Sequence, residues 1–258
     1  MESSTMAATV ILLALIGAVG AFISGLVGIG GAIIIYPLVL FIPPLFGINT
    51  INAHTASGLT AAQVFFSTMS GSYSQRKSPD LNRSIIIPMG AGILLGSLLG
   101  AYSGSLFDAA LINTVYTFLA LLAVVLMFWK VRPEQTKYRF NAILLFITAL
   151  IIGYVSGIVG AGGAFILVPV LLALFKAPFR TVVTSSIVIA FISSTGTFLM
   201  KSMTGDVDFF LMLPLIISSL IVAPIGTRMS QKTNQNVLRY ILAVLIASAA
   251  IKMLMEIL

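Results

Sequence analysis

The sequence contains no cysteine and only one histidine, His54, in 258 residues. Without cysteine, the chain can form no disulfide, no thiol nucleophile and no cysteine-ligated metal site. A single histidine also excludes a metal centre built from several imidazoles. The sequence therefore predicts neither a bound metal ion nor another cofactor.

Charge is also scarce, since charged residues make up 8% of the chain and hydrophobic residues 59%. A soluble domain carries about a quarter charged residues, and this chain has too little polar surface to cover a globule. The apolar runs are long and continuous, unlike the alternating segments of about ten residues in membrane barrels. We therefore predict an all-α polytopic protein of the cell membrane.

Acidic residues are missing from the middle of every apolar run. They lie at or beyond the ends of these runs, at Glu2, Asp80, Asp108, Glu134, Asp206, Asp208 and Glu256. Proton relays and carboxylate cation sites in membranes place acids at depth, and a hydrolase with paired carboxylates needs them too. The sequence thus argues against a cation pump and against an enzyme. Asp206 and Asp208 are interpreted as an outer turn, because two carboxylates alone make a poor metal site.

Basic residues give the chain a net charge of +7 and are scattered in short segments between the apolar runs. No basic run carries interleaved aromatic residues, so we predict no nucleic-acid partner. Positive charge is typical of cytoplasmic loops, and here it falls in alternate loops, with Lys201 as the main exception. If all segments cross the bilayer, both termini lie outside the cytoplasm.

Ten apolar segments are predicted, most of them near the roughly 20 residues that a spanning helix needs. They cover residues 7–27, 31–46, 53–73, 84–104, 109–129, 140–159, 163–176, 180–200, 207–227 and 236–256. We predict a first transmembrane repeat at 1–130, a cytoplasmic linker at 131–139 and a second transmembrane repeat at 140–258. Because each half has an odd number of segments, the halves enter the membrane in opposite senses, as an inverted-topology repeat. In the alternative, the short segments are re-entrant and only eight segments cross.

Two glycine-rich stretches lie at corresponding places in the halves. We call Ser24–Ala32 the first break and Ser156–Ala164 the second break. So much glycine is unfavourable within a helix, at about 1 kcal/mol per residue relative to alanine. We therefore predict short broken helices after the breaks, whose N-terminal N–H groups and partial positive charge favour an anion. For a single glycine, close contact between helices is the simpler interpretation.

The predicted substrate site combines backbone N–H groups of the breaks with side chains at the starts of the third and eighth segments. Hydroxyl groups at a helix start can donate to an oxyanion or cap the helix. His54 would bind the anion or carry a coupled proton, or else make one structural hydrogen bond at a helix start. The predicted site residues are Gly28, Gly30, Gly31, Asn52, His54, Thr55, Ser57, Gly160, Gly162, Gly163, Thr184 and Ser185. Ser193 and Ser194 are interpreted as packing.

Other parts of the halves also correspond in order. His54–Ser57 aligns with Val183–Ser186, and Ser78–Asn82 aligns with Thr204–Asp208. This alignment puts Val183 in the place of His54, so any role of the imidazole would be asymmetric. On the fourth segment, Gly92, Gly96 and Gly100 form a ladder that favours close helix packing, either within the fold or across a homodimer.

These motifs resemble those of the sulfite exporter TauE/SafE family. The resemblance is carried by Ser24–Pro37 and Ser156–Pro169, with support from His54–Ser57 and the turn Gly205–Asp208. It implies a membrane transporter, often for sulfur-bearing anions such as sulfite, sulfoacetate or another organosulfonate. The partners would then be a small anionic substrate, the lipid bilayer and a coupled proton or sodium ion.

We accordingly expect a secondary transporter that exports such an anion by alternating access, with the anion held at the two breaks. The alternatives are an anion channel with the glycine loops as its filter, a transporter of a non-sulfur organic anion, and a scaffold for a partner protein. Saturable flux stimulated by counterflow would favour the carrier over the channel.

Overall fold

A computed structural model describes residues 2–28, 31–48, 50–128 and 141–257. The predicted site residue Gly30 and the predicted linker at 131–139 lie outside these ranges. The described residues form ten α-helices and no strand, which confirms the all-α prediction. The helices are α1 (Glu2–Val27), α2 (Ala32–Leu45), α3 (Ala53–Gln75), α4 (Arg83–Leu106), α5 (Ala109–Phe128), α6 (Ala142–Ile158), α7 (Ala164–Ala173), α8 (Phe179–Met203), α9 (Phe209–Lys232) and α10 (Gln235–Ile257).

Six helices, α1, α4, α5, α8, α9 and α10, are long and apolar enough to cross a membrane. α2 and α6 are apolar but shorter, and α7 has 10 residues. The chain is thus a multi-pass membrane protein, while the choice between ten and eight crossings stays a prediction. α3 has 23 residues and is more polar, and many of its hydroxyl and amide groups are buried.

Polar side chains mark the starts of six helices. An Asn or Asp side-chain oxygen accepts a hydrogen bond from a backbone N–H two or three residues later, which satisfies part of the free helix end. These caps are Asn52 of α3, Asn82 of α4, Asp108 of α5, Asn141 of α6, Asp208 of α9 and Asn234 of α10. Local side chains therefore help to set where these six helices begin.

The helices of the two halves interleave. α1 packs most extensively against α9, and α6 packs most extensively against α4. α3 and α8 contact each other, while α9 also packs on α3 and α4 also packs on α8. One group of helices, α1, α2, α3 and α9, therefore faces a second group, α4, α6, α7 and α8.

Glycines allow the helices of the two halves to interleave, because glycines in each half lie against the backbone of the other half. A Cβ at Gly25 on α1 would overlap the Ala223 carbonyl of α9. A Cβ at Gly157 on α6 would lie 2.7 Å from the Ser97 carbonyl oxygen of α4. The ladder at Gly92, Gly96 and Gly100 likewise lies against the backbone of α6. Of the two packing partners predicted for the ladder, the structure shows the one within the fold.

Alanine at Gly100 is expected to lower the thermal unfolding temperature, whereas alanine at Gly90 on the same helix should change it little. A Cβ at Gly100 would overlap the Tyr154 carbonyl, and overpacking of this kind costs about 1–3 kcal/mol. A Cβ at Gly90 would meet the end of the Ile192 side chain at 2.9 Å, which can shift, and alanine favours the helix by about 0.5–1 kcal/mol. Thermal unfolding of the purified variants in detergent measures the difference. Equal losses would contradict the tight α4–α6 contact.

Candidate functional site

The two breaks interrupt helices in the predicted way. α1 ends at Val27 and α2 begins at Ala32, with Gly31 at the N-cap in the left-handed conformation, φ 73°. α7 likewise follows an N-cap glycine, Gly163, with φ 73°. Neither helix has a side-chain cap at this end. Only a glycine adopts such a conformation at no steric cost, so the breaks depend on their glycines.

Unpaired backbone donors lie at the second break. Within the described hydrogen bonds, none is donated by the backbone N–H groups of Gly162, Gly163 or Phe165. Orphan N–H groups at a helix start, together with the helix dipole, favour a negatively charged group. The second break is therefore a candidate anion site whose donors are backbone N–H groups.

Each break contacts the start of a helix from the opposite half. A Cβ at Gly28, φ 74°, would lie 2.5 Å from the Val183 carbonyl oxygen of α8. A Cβ at Gly160, φ 83°, would overlap the Ser57 carbonyl of α3. In both places the backbone of the contacting helix, α8 or α3, occupies the volume that any residue other than glycine would need for its side chain. The breaks thus anchor the two halves to each other.

These reciprocal contacts correct the alignment of the halves. They pair Ser57 with Val183, so the alignment of His54 with Val183 is wrong. Two contacts at the α3–α8 crossing have the same residue offset: Phe65 stacks on Phe191 with ring centroids 5.6 Å apart, and Thr68 Oγ1 lies 3.3 Å from Ser194 Oγ. With this offset, Arg180 takes the place that corresponds to His54. Serine, valine and threonine recur too often near both helix starts for the sequence to determine this register.

A row of hydroxyl groups runs from the first break into the α3–α8 crossing. Ser24 Oγ in the first break lies 3.2 Å from Ser67 Oγ on α3. The neighbouring Thr68 meets Ser194 of α8 across the crossing. All four side chains are buried. The polar centre of the molecule therefore lies where α3 and α8 cross, between the two breaks.

Gln63 on α3 has a fully buried side chain, and neither of its amide atoms has a hydrogen-bond partner among the described residues. Its Nε2 lies 3.4 Å from the Cβ position of Gly20, and the Gly20 carbonyl oxygen lies 2.5 Å from the Cβ position of Gly31. A buried unpaired amide costs about 1–3 kcal/mol and is rare in a folded protein. Gln63 is not among the predicted site residues. Its signal in the sequence is that a glutamine interrupts an apolar segment.

Two buried hydroxyl groups near the second break also have no partner. Ser193 Oγ lies 3.5 Å from the Cβ position of Gly162, and Ser57 Oγ lies 2.7 Å from the Cβ position of Gly160. Ser57 is a predicted site residue, whereas Ser193 is one that the sequence assigns to packing. Both hydroxyls remain free to bind a ligand at the second break.

The other predicted side chains lie nearer the ends of the molecule. Asn52 caps α3 by accepting a hydrogen bond from the Thr55 N–H at 2.7 Å, and both residues line a cavity of about 470 Å³. Ser185 Oγ accepts a hydrogen bond from the Asn82 N–H at 3.2 Å, and Thr184 lines a further cavity. Asn52 and Ser185 therefore bond to backbone N–H groups near helix starts, whereas Thr184 directly follows Val183, whose carbonyl oxygen contacts Gly28 of the first break.

His54 belongs to a charged group with Lys201 and Asp206, which we call the His54 cluster. Its Nδ1 lies 3.6 Å from Asp206 Oδ1, while Lys201 Nζ lies 2.8 Å from Asp206 Oδ2. Lys201, the exception among the loop charges, lies instead in the last turn of α8 with no exposed surface. Asp206 does lie in the α8–α9 turn, where it neutralises the buried ammonium. The sequence signal for this pair is a lysine at the end of an apolar segment, five residues before an aspartate.

An all-helical membrane protein with interrupted helices and buried polar groups beside the interruptions has the architecture of a secondary transporter. The chain belongs to the sulfite exporter TauE/SafE family, whose model matches residues 13–253. This match confirms the resemblance on which the predicted class was based.

Curated relatives cover almost the whole chain. Probable membrane transporter protein YunE of Bacillus subtilis is 25% identical over 90% of this chain and 94% of its own length. Probable membrane transporter protein MJ0441 of Methanocaldococcus jannaschii is 23% identical over 95% of both chains. Probable membrane transporter protein YjnA of B. subtilis is 22% identical over 96% of this chain and all of its own. No solved structure matches the chain.

Proposed function

We propose that the protein is a secondary transporter that exports a small sulfur-containing oxyanion, such as sulfite, sulfoacetate or another organosulfonate, by alternating access. One observation carries the proposal: unpaired donors at the second break and an unpaired amide beside the first break flank a common polar crossing. Among the described residues, acidic side chains occur only at helix ends or between helices, so no carboxylate there repels an anion at this centre. Family membership supports transport, and the sulfur-containing substrate is our extension of it.

The proposed binding mode uses neutral donors. Backbone N–H groups at the second break and the Ser193 hydroxyl donate to the anion, and the Gln63 amide does so near the first break. Such hydrogen bonds gain strength in a low-dielectric interior, because the electrostatic attraction between donor and acceptor is screened less there than in water. A buried lysine is not required at the centre. Release is therefore not opposed by a strong ion pair.

We propose that residues 1–130 and 140–258 form the two repeats of an inverted pair. The reciprocal contacts of Gly25 and Gly157, and of Gly28 and Gly160, support this assignment. If one repeat is superposed on the other, the two ends of the molecule change places. The site therefore has one route to each side of the membrane. A proton carried by His54, or a sodium ion held by carbonyl and hydroxyl oxygens, would supply the coupling.

Gln63→Leu is expected to keep or raise the thermal stability of the empty protein and to abolish most of its stabilisation by substrate. The change removes a buried unpaired amide, which favours folding, but it also removes a donor to the anion. A ligand present at about 100 times its Kd should stabilise the wild-type protein by about 2.7 kcal/mol. Thermal shifts of purified protein with sulfite, sulfoacetate, thiosulfate, sulfate and a carboxylate measure both effects.

Ser193→Ala is expected to weaken the same thermal shift, and Ser202→Ala provides the matched control. Both hydroxyls are on α8 and are buried without a partner, but only Ser193 lies beside the second break. A Ser193→Ala protein that responds to sulfoacetate like the Ser202→Ala protein would contradict the binding mode. No shift of the wild-type protein with any of the anions would refute the proposed function. Flux into vesicles that does not saturate would instead support the channel.

A further inference from the structure

A cavity of about 370 Å³ lies between the C-terminal end of α3, the start of α8 and the end of α9. None of the described residues that line it belongs to the two breaks. They include Ser74, Gln75, Lys77, Asp80, Arg180, Val183, Thr184 and Gln231. We call this space the Arg180 cavity.

Two cationic side chains in the Arg180 cavity, Arg180 and Lys77, can still donate hydrogen bonds to a ligand. Within the described ranges, Arg180 donates two long hydrogen bonds, to the carbonyl oxygens of Gln231 at 3.3 Å and Thr233 at 3.5 Å. Neither Arg180 nor Lys77 forms an ion pair within the described part of the chain. A guanidinium held by carbonyl oxygens keeps a planar set of donors that matches sulfonate, carboxylate or phosphate oxygens.

Neutral polar groups and one acid complete the lining. Thr184 contributes a hydroxyl, and Gln75 accepts a hydrogen bond from the Gln231 side chain at 3.2 Å, which orders both amides. Asp80 is the single carboxylate among the described lining residues, which therefore carry one excess positive charge with Arg180 and Lys77. This balance favours a singly or doubly charged small anion over a polyanion.

The Arg180 cavity is separated from the first break by one residue. Val183 lines the cavity, and its carbonyl oxygen lies 2.5 Å from the Cβ position of Gly28. At the opposite end of the molecule, the residue that corresponds to Arg180 is His54, whose cluster lies near Ser57 and the second break. Each end of the proposed route thus carries a titratable or cationic group next to the break of the other half.

We propose that the Arg180 cavity is a loading site that captures an organic oxyanion, with a sulfonate or carboxylate head, before it reaches the breaks. This inference rests on the proposed function and adds a second binding site to it. A water molecule occupies about 30 Å³ in the liquid, so the cavity has room for an oxyanion head, a short organic tail and several waters. The Arg180 guanidinium binds the head, and Lys77 and Thr184 contact the remaining oxygens.

The absence of cysteine from the chain allows a direct test. Ser74→Cys introduces a single thiol into the cavity lining, and its rate of reaction with a maleimide is measured with increasing sulfoacetate. Sulfoacetate is expected to slow the reaction. Arg180→Gln is expected to raise the half-protecting concentration about tenfold or more, since charge-assisted hydrogen bonds are lost. Arg180→Lys should restore part of the protection, because it keeps the charge without the planar set of donors.

Ala109→Cys, an exposed position at the start of α5, is the control thiol, and its labelling should not respond to sulfoacetate. Lys77→Gln, a change at an exposed side chain, gives a second variant in case Arg180→Gln does not fold, and should raise the half-protecting concentration less. Protection that is unchanged in Arg180→Gln or, where that variant does not fold, in Lys77→Gln would overturn the loading site. So would a wild-type thermal shift with sulfoacetate in the absence of any protection at Ser74→Cys. Absence of both responses would instead count against the proposed function.

Discussion

Alanine at Gly160 is expected to destabilise the protein far more than alanine at Gly205. The two glycines have nearly the same backbone conformation, with φ 83° and 82°. Both substitutions therefore carry the same cost of a left-handed residue, about 1–2 kcal/mol. At Gly160 the new Cβ would also overlap the Ser57 carbonyl, whereas at Gly205 nothing lies within 4 Å. We expect the overlap to add about 3 kcal/mol, because the second break and the start of α3 must move apart.

Thermal unfolding of the two variants in detergent, with transport in vesicles, measures this difference. Gly205→Ala should keep most of the transport, because it disturbs an open turn. Gly160→Ala should lose it, because the second break can no longer lie against α3. If both variants unfolded at the same temperature, the contact between the halves at Gly160 would not exist in the membrane protein.

Lys201→Met is expected to lower the free energy of unfolding by about 3–5 kcal/mol, because the largely buried Asp206 carboxylate loses the ammonium group that neutralises it. The Lys201 ammonium has no exposed surface and lies 2.8 Å from the carboxylate. A second change, Asp206→Asn, should recover much of the loss, since it removes the uncompensated charge. A double variant that is as unstable as the sum of the single variants would contradict the pairing.

The helices themselves could be predicted from the sequence. Each of the ten helices overlaps one predicted apolar segment, because continuous hydrophobicity is the strongest signal that a membrane chain carries. The breaks at Gly31 and Gly163 could be predicted as well, since clustered glycine is so unfavourable within a helix.

The partners of each helix could not be predicted, because hydrophobicity does not specify which apolar face meets which. The packing of α1 on α9 and of α4 on α6 depends on small residues such as Gly25 and Gly157, which the sequence shows without their partners. The burial of Lys201 could not be predicted either, because it depends on which helices pack around the end of α8. Its aspartate lies in a turn that, from the sequence alone, belongs to the solvent-exposed end of the molecule.

Most of the polar centre was also beyond the sequence. Buried serines and threonines often bond their own helix backbone, as Thr60 does to the Ala56 carbonyl at 2.7 Å. Only the three-dimensional packing separates those from Ser193, whose hydroxyl has no partner. Gln63 is the exception, because an amide in the middle of an apolar segment is conspicuous in the sequence itself.

The interleaving of the halves decides what can move during transport. α9 packs extensively on α1, and α4 packs extensively on α6. Neither sequence half can therefore move as one rigid body without breaking its most extensive helix contacts. For the proposed alternating access we therefore expect chimeric mobile bodies, each made of three helices from one half and the fourth helix of the other. A conformational probe that spans α1 and α4, which belong to the same half, should therefore change its length during turnover, while one that spans α1 and α9 should not.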